Sequence, residues 1–111
     1  MDIGPVNPGH VLVAPKKHYA SIFDIPPETA QEVMAVAQQI AIAVKETFHC
    51  PGLMLFQANG KEGEQTVFHF HMHIVPRHQD DGAGLIWPRR QCTSEQLAAH
   101  ARLLQGKLQI N

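Results

Sequence analysis

The chain has 111 residues, with 9 Lys and Arg against 10 Asp and Glu, 8 His and 2 Cys; 44% of it is hydrophobic and 17% charged. A chain of this length supports one small core and not two, so a single domain over residues 1–111 is expected. A formal net charge of -1 excludes the basic field of a protein that wraps nucleic-acid backbone, so no nucleic acid polymer is expected as a partner, while nucleotides that fit a pocket remain admissible.

Asp2-Ile3-Gly4-Pro5-Val6-Asn7-Pro8-Gly9 is turn chemistry, a loop whose path two prolines and two glycines define. His10-Val11-Leu12-Val13-Ala14, stopped by Pro15, predicts a short buried strand. Pro26-Pro27-Glu28 then opens a stretch in which Val33, Val36, Ala37, Ile40, Val44 and Phe48 recur at helical spacing until Pro51-Gly52. That spacing predicts an amphipathic helix. Leu53-Met54-Leu55-Phe56 predicts a second strand, followed by a polar loop from Ala58 to Glu64. A third strand is expected from about Thr66 to Pro76, with a loop at 79–84 after it. Leu85-Ile86-Trp87-Pro88 is apolar with no assignable structure. Thr93 and Gln96 form a candidate capping box, and Leu97, Ala101, Leu104 and Leu108 make one face of a closing helix. No apolar run approaches the roughly 20 residues of a bilayer span, and the start lacks a basic segment followed by an apolar one. No membrane partner and a cytoplasmic location are therefore expected. Cys50 and Cys92 fit no paired-ligand spacing and read as ordinary thiols.

Histidine is present at about three times its usual share, and its placement is informative. His69, His71 and His73 alternate with Phe68, Phe70, Met72 and Ile74, so a period of two puts three imidazoles on one face and four large apolar groups on the other. A solvated strand face would carry Lys, Glu or Thr there, which argues against an accidental cluster. Two chemistries suit such a face. Neighbouring H-x-H rings can chelate zinc, but rings on successive like-facing positions stand about 6.6 Å apart, so the outer pair is too distant to share one ion. A catalytic zinc would need a third ligand from His10, His18 or His78. Alternatively, one ring attacks phosphorus while its neighbours neutralise charge and donate protons, and His71, flanked on both sides, is the natural nucleophile.

His69-Phe70-His71-Met72-His73-Ile74-Val75 resembles the signature of the histidine-triad (HIT) family. The resemblance extends to Asp2-Ile3, to Pro8-Gly9-His10 through Pro15-Lys16-Lys17-His18, and to Asn59-Gly60, Gln65-Thr66-Val67 and Pro76-Arg77. It implies an α+β fold with an antiparallel sheet, one long helix packed on it and a C-terminal helix. It also implies a hydrolase or transferase acting at the α-phosphate of a purine nucleotide, either a nucleoside phosphoramidate or a (di)nucleoside polyphosphate. His71 would form a covalent nucleotidyl-histidine, His73 would bind phosphate oxygens, and His10 would assist phosphate binding or protonate the leaving group. His69 would orient its neighbours. Asp2 would hold the ribose, and Asn59, Gln65 and Thr66 would lie near the phosphate. A homodimer is expected. The alternatives are a nucleotide-binding module with impaired turnover and a metal-dependent hydrolase. No cofactor is expected, and no structural metal either: some members pair the equivalents of His18 and His69 with a CxxC that this chain lacks. His78 should lie at the surface. Three departures stand out. The segment of about thirty residues that usually precedes the Asp-Ile equivalent is not present before Met1, so the domain reads as N-terminally shortened. Ala58 occupies a usual amide position, and Glu64 a usual glycine position.

Overall fold

The computed structural model describes residues 1–84 and 87–108. Five elements follow in chain order: β1 (Val11–Val13), α1 (Pro27–Phe48), β2 (Gly52–Phe56), β3 (Met72–Arg77) and α2 (Ser94–Lys107). The strands form one antiparallel sheet in the order β1-β3-β2, so β3 is central. The expected α+β architecture is present.

Local chemistry sets the bounds of α1. Pro27 sits at the first helical position, where its missing N–H is not needed. Glu28 in the first turn and Lys45 in the last complement the helix dipole. His49 ends the helix in the left-handed conformation, and Pro51 cannot continue it. Val33, Ala37 and Val44 form the buried stripe, and Ala37 lets the helix approach Ile74 of β3 closely, both being fully buried. Val11, Val13, Leu53 and Met72 complete that core; Ile25, Val33 and Phe70 form a second cluster beside it. Val36, one position off the stripe, is 45% exposed.

The third strand is shorter than the alternation predicts. β3 begins at Met72, opposite Val13, and β1 cannot extend because Pro15 follows. On the other side, pairing starts at His73 opposite Phe56, after which the chain turns away. His69 and His71 therefore precede β3, and the Phe70 N–H donates to the Tyr19 carbonyl. Phe70, Met72 and Ile74 still point inward, but Phe68 is 53% exposed, so the apolar face has three members rather than four.

Thr93 and Gln96 form the expected capping box of α2. Its predicted apolar face does not pack: Leu97, Ala101, Leu104 and Leu108 are all exposed, and α2 touches no other element among the described residues. The apolar segment at 85–88 lies partly outside the described residues; Trp87 is exposed. Cys50 is buried, Cys92 is exposed, and both are free.

Candidate active site

β3 turns Ile74 toward α1 and His73 and Val75 to the opposite face of the sheet, where the site is built around His73. His73 is the hub. Its ring stacks on Phe56 at 4.1 Å with an interplanar angle of 8°. The His71 ring lies 4.9 Å from it and the His10 ring 5.2 Å. His69 belongs to a second pair, with the ring of His18 at 5.1 Å. The three triad histidines thus divide between two clusters, and His10 joins the one that holds His71 and His73.

Hydrogen-bond partners fix where the ring protons sit, since a carbonyl only accepts and an amide N–H only donates. His71 Nδ1 lies 2.7 Å from the His69 carbonyl, so Nδ1 carries the proton and Nε2 keeps a free lone pair. The Val6 N–H donates to His10 Nδ1 at 3.1 Å, which places the proton of the neutral ring on Nε2. That nitrogen is 2.9 Å from His73 Nδ1 and 3.5 Å from a carboxylate oxygen of Asp2. His73 Nδ1 accepts, so its proton is on Nε2. His69 Nε2 donates to the Pro15 carbonyl at 2.8 Å, and its bare Nδ1 faces His18 Nδ1 at 3.3 Å.

Burial, with His71 and His10 close by, lowers the pKa of His73 from 6.5 to about 4, so the ring is a neutral donor at physiological pH. Asp2 is fixed from two sides: its N–H donates to the His10 carbonyl at 3.0 Å and one carboxylate oxygen accepts from the Gly4 N–H at 2.8 Å. His10 is only 3% exposed and lies behind His73.

Asn59 and Gln65 brace loops. Asn59 Oδ1 accepts from the Ile22 N–H at 2.7 Å and its amide nitrogen donates to Gln57 at 2.6 Å. Gln65, buried, accepts from the Gly60 N–H and donates to the Ala20 and Val67 carbonyls. Thr66 is exposed. A Cβ on Gly63 would stand 2.3 Å from the Asn59 carbonyl oxygen, so this tight loop requires glycine there. Glu64 adopts φ 68, which suits the glycine usual at that position, and its side chain is exposed. His78 is exposed, as expected.

Three contributors to the site were not read from the sequence: Phe56, Asn7 and Asp81. Phe56 looked like a core strand residue, and the partners of Asn7 lie about seventy residues away in the chain, at Pro76 and Asp81. No local pattern marks such pairs. Beside the histidines, a cavity of about 560 Å³ on the same sheet face is lined by Met54, Phe56, Val75, Glu64, Arg77 and Trp87 among others. That volume suits a small-molecule group.

Asp2, His10 and His73 bring potential metal-binding atoms within 4.8 Å of one another. The donor chemistry disfavours an ion: coordination through His10 Nε2 would move its proton to Nδ1, against the Val6 N–H.

The HIT domain family matches residues 1–80. Protein hit of Bacillus subtilis is 39% identical over 88 residues, 78% of this chain and 61% of that protein. The adenosine 5'-monophosphoramidase HNT1 of Saccharomyces cerevisiae is 36% identical over 112 residues, 98% of this chain and 67% of that protein. The chain thus spans about three fifths to two thirds of the length of these relatives. The crystal structure of a HIT family member from Bacillus subtilis superposes with a TM-score of 0.92 at 32% identity, covering 100% of this chain and 81% of that one.

Proposed function

The chain belongs to the HIT domain family, and from that premise we propose that it hydrolyses or transfers nucleotides by attack of His71 on the α-phosphorus of a nucleoside phosphoramidate or a (di)nucleoside polyphosphate. The observation that supports this most is the bond from His71 Nδ1 to the His69 carbonyl, which leaves the Nε2 lone pair directed away from its own backbone. A bond forms between His71 Nε2 and phosphorus as the bond to the leaving group breaks. His73 Nε2–H donates a hydrogen bond to the phosphate oxygen on which charge develops, held in that tautomer by His10 Nε2–H at its Nδ1, and the departing group takes its proton from solvent. Water then attacks phosphorus, the bond to His71 Nε2 breaks, and the proton lost by the water goes to solvent. Asp2 accepts hydrogen bonds from the ribose hydroxyls, and Thr66 offers its hydroxyl near the leaving group. Asn59 and Gln65 shape the phosphate loop.

A purine nucleotide is the substrate in this reading, as it is for the yeast relative by its name. We also propose a homodimer through the outer edge of β2, which is unpaired among the described residues and borders an apolar groove containing Met34, Ile42 and Leu55. The activity is tested by hydrolysis of adenosine 5'-monophosphoramidate with wild-type protein and His71→Ala. Turnover by the wild type alone, unaffected by a chelator, supports the reading. Binding without turnover would make the chain a nucleotide-binding module, and loss to a chelator with recovery in zinc would make it a metal-dependent hydrolase.

A further inference from the structure

A polar network outside the histidines ties the loop carrying Asp2 and His10 to the end of β3. The Asp81 carboxylate accepts from Arg77 Nε at 2.8 Å and Arg77 Nη2 at 3.1 Å, from the His78 and Ala83 N–H groups, each at 3.0 Å, and from Asn7 Nδ2 at 2.9 Å. Arg77 also donates to the Ala83 carbonyl. Asn7 Nδ2 donates its second hydrogen to the Pro76 carbonyl at 2.9 Å. The Asn7 carbonyl accepts the His10 N–H at 3.2 Å, and the adjacent Val6 N–H is the group that bonds His10 Nδ1.

We propose that Asn7 and Asp81 form a positioning unit that holds the Val6 amide against His10 and thereby keeps the His10 proton on Nε2, facing His73. The inference deepens the proposed reaction and rests on it. Neither residue touches the reacting atoms. Their effect passes along a chain of defined donors and acceptors: Val6 N–H to His10 Nδ1, His10 Nε2–H to His73 Nδ1, and His73 Nε2–H toward substrate. Were His10 to move its proton to Nδ1, its bare Nε2 would face a bare His73 Nδ1. His73 would then turn its own proton inward, away from the substrate. A salt bridge serving stability alone would not require Asn7 to span both Pro76 and Asp81 while its neighbour bonds an imidazole.

The test is ¹⁵N-resolved NMR of the histidine ring nitrogens, with steady-state kinetics on adenosine 5'-monophosphoramidate, in wild type, Asn7→Ala, Asp81→Asn and the core control Val44→Ala. In the wild type, His10 shows a bare Nδ1 and a protonated Nε2. In Asn7→Ala the two His10 signals move toward each other, those of His73 follow, and kcat falls by about 10-fold or more with KM changed far less, in the range expected when a hydrogen-bond donor to the transition state is misdirected. Asp81→Asn keeps one acceptor oxygen and gives a smaller change in the same sense; it decides the matter if Asn7→Ala does not fold. Unchanged His10 signals in a folded variant overturn the inference, as does an equal response in Val44→Ala. The ring response in Asn7→Ala, together with a wild type that shows no turnover, refutes the proposed activity and leaves the positioning unit standing.

Discussion

Gln65→Ala separates a loop brace from a substrate contact. Gln65 is 5% exposed and uses its whole amide: Oε1 accepts from Gly60 N–H at 2.8 Å, and Nε2 donates to the carbonyls of Ala20 at 2.6 Å and Val67 at 3.1 Å. Alanine breaks all three bonds and strands one N–H and two carbonyls, each costing roughly 1–3 kcal/mol if it stays dry. Ala20 and Gly60 are half-buried and Val67 is exposed, so the total loss should be nearer 2–4 kcal/mol than the sum of the maxima. At about 4 °C per kcal/mol for a domain of this size, the melting temperature falls by roughly 8–16 °C. Urea unfolding of wild type and variant reads the difference, with turnover measured on the folded fraction. A loss of stability below about 0.5 kcal/mol combined with a large fall in kcat would show that Gln65 acts on substrate and is not a loop brace.

Other consequences can be checked in parallel. Gly9 has φ 95, and a Cβ there would stand 2.7 Å from the Phe48 ring, so Gly9→Ala should cost about 2 kcal/mol or more in urea unfolding; a neutral result would mean that the loop does not rest on α1. His73 has a lowered pKa in the folded chain, so it stays neutral where the unfolded ring, at about 6.5, takes up a proton. The stability this contributes is complete above pH 6.5 and is lost as pH falls toward 4, and an NMR titration midpoint for His73 near 6.5 would contradict the sign. A homodimer should sediment at twice the 12.3 kDa of one chain and revert to monomer in Met34→Lys; unchanged sedimentation of that variant argues against the β2 edge as the interface.

Much of the fold could be read in advance because its signals are local. Pro27 and Pro51 bracket α1, Thr93 and Gln96 start α2, and the alternation around His71 separates core from site. What escaped depends on tertiary partners. The alternation continues from Phe70 to Ile74, but strand structure needs a neighbour, and Pro15 removes it before Met72. The apolar face of α2 has the right period yet packs on no other element among the described residues. In the site, His71, His73 and His10 converge, whereas His69 turns to His18 and Pro15. Asn59 and Gln65 are amides in a loop, a residue type that binds phosphate or backbone equally well, and only the fold shows that backbone groups and Gln57 engage them.

The central claim is that the His71 Nε2 lone pair is the nucleophile. Rapid quenching of wild-type protein with adenosine 5'-monophosphoramidate, followed by intact mass analysis, tests it most directly. A mass increase of one adenylyl group is expected on wild type, mapped to the peptide containing His71 and absent from His71→Ala. Turnover with no adduct at any quench time, or an adduct that persists in His71→Ala, would contradict it.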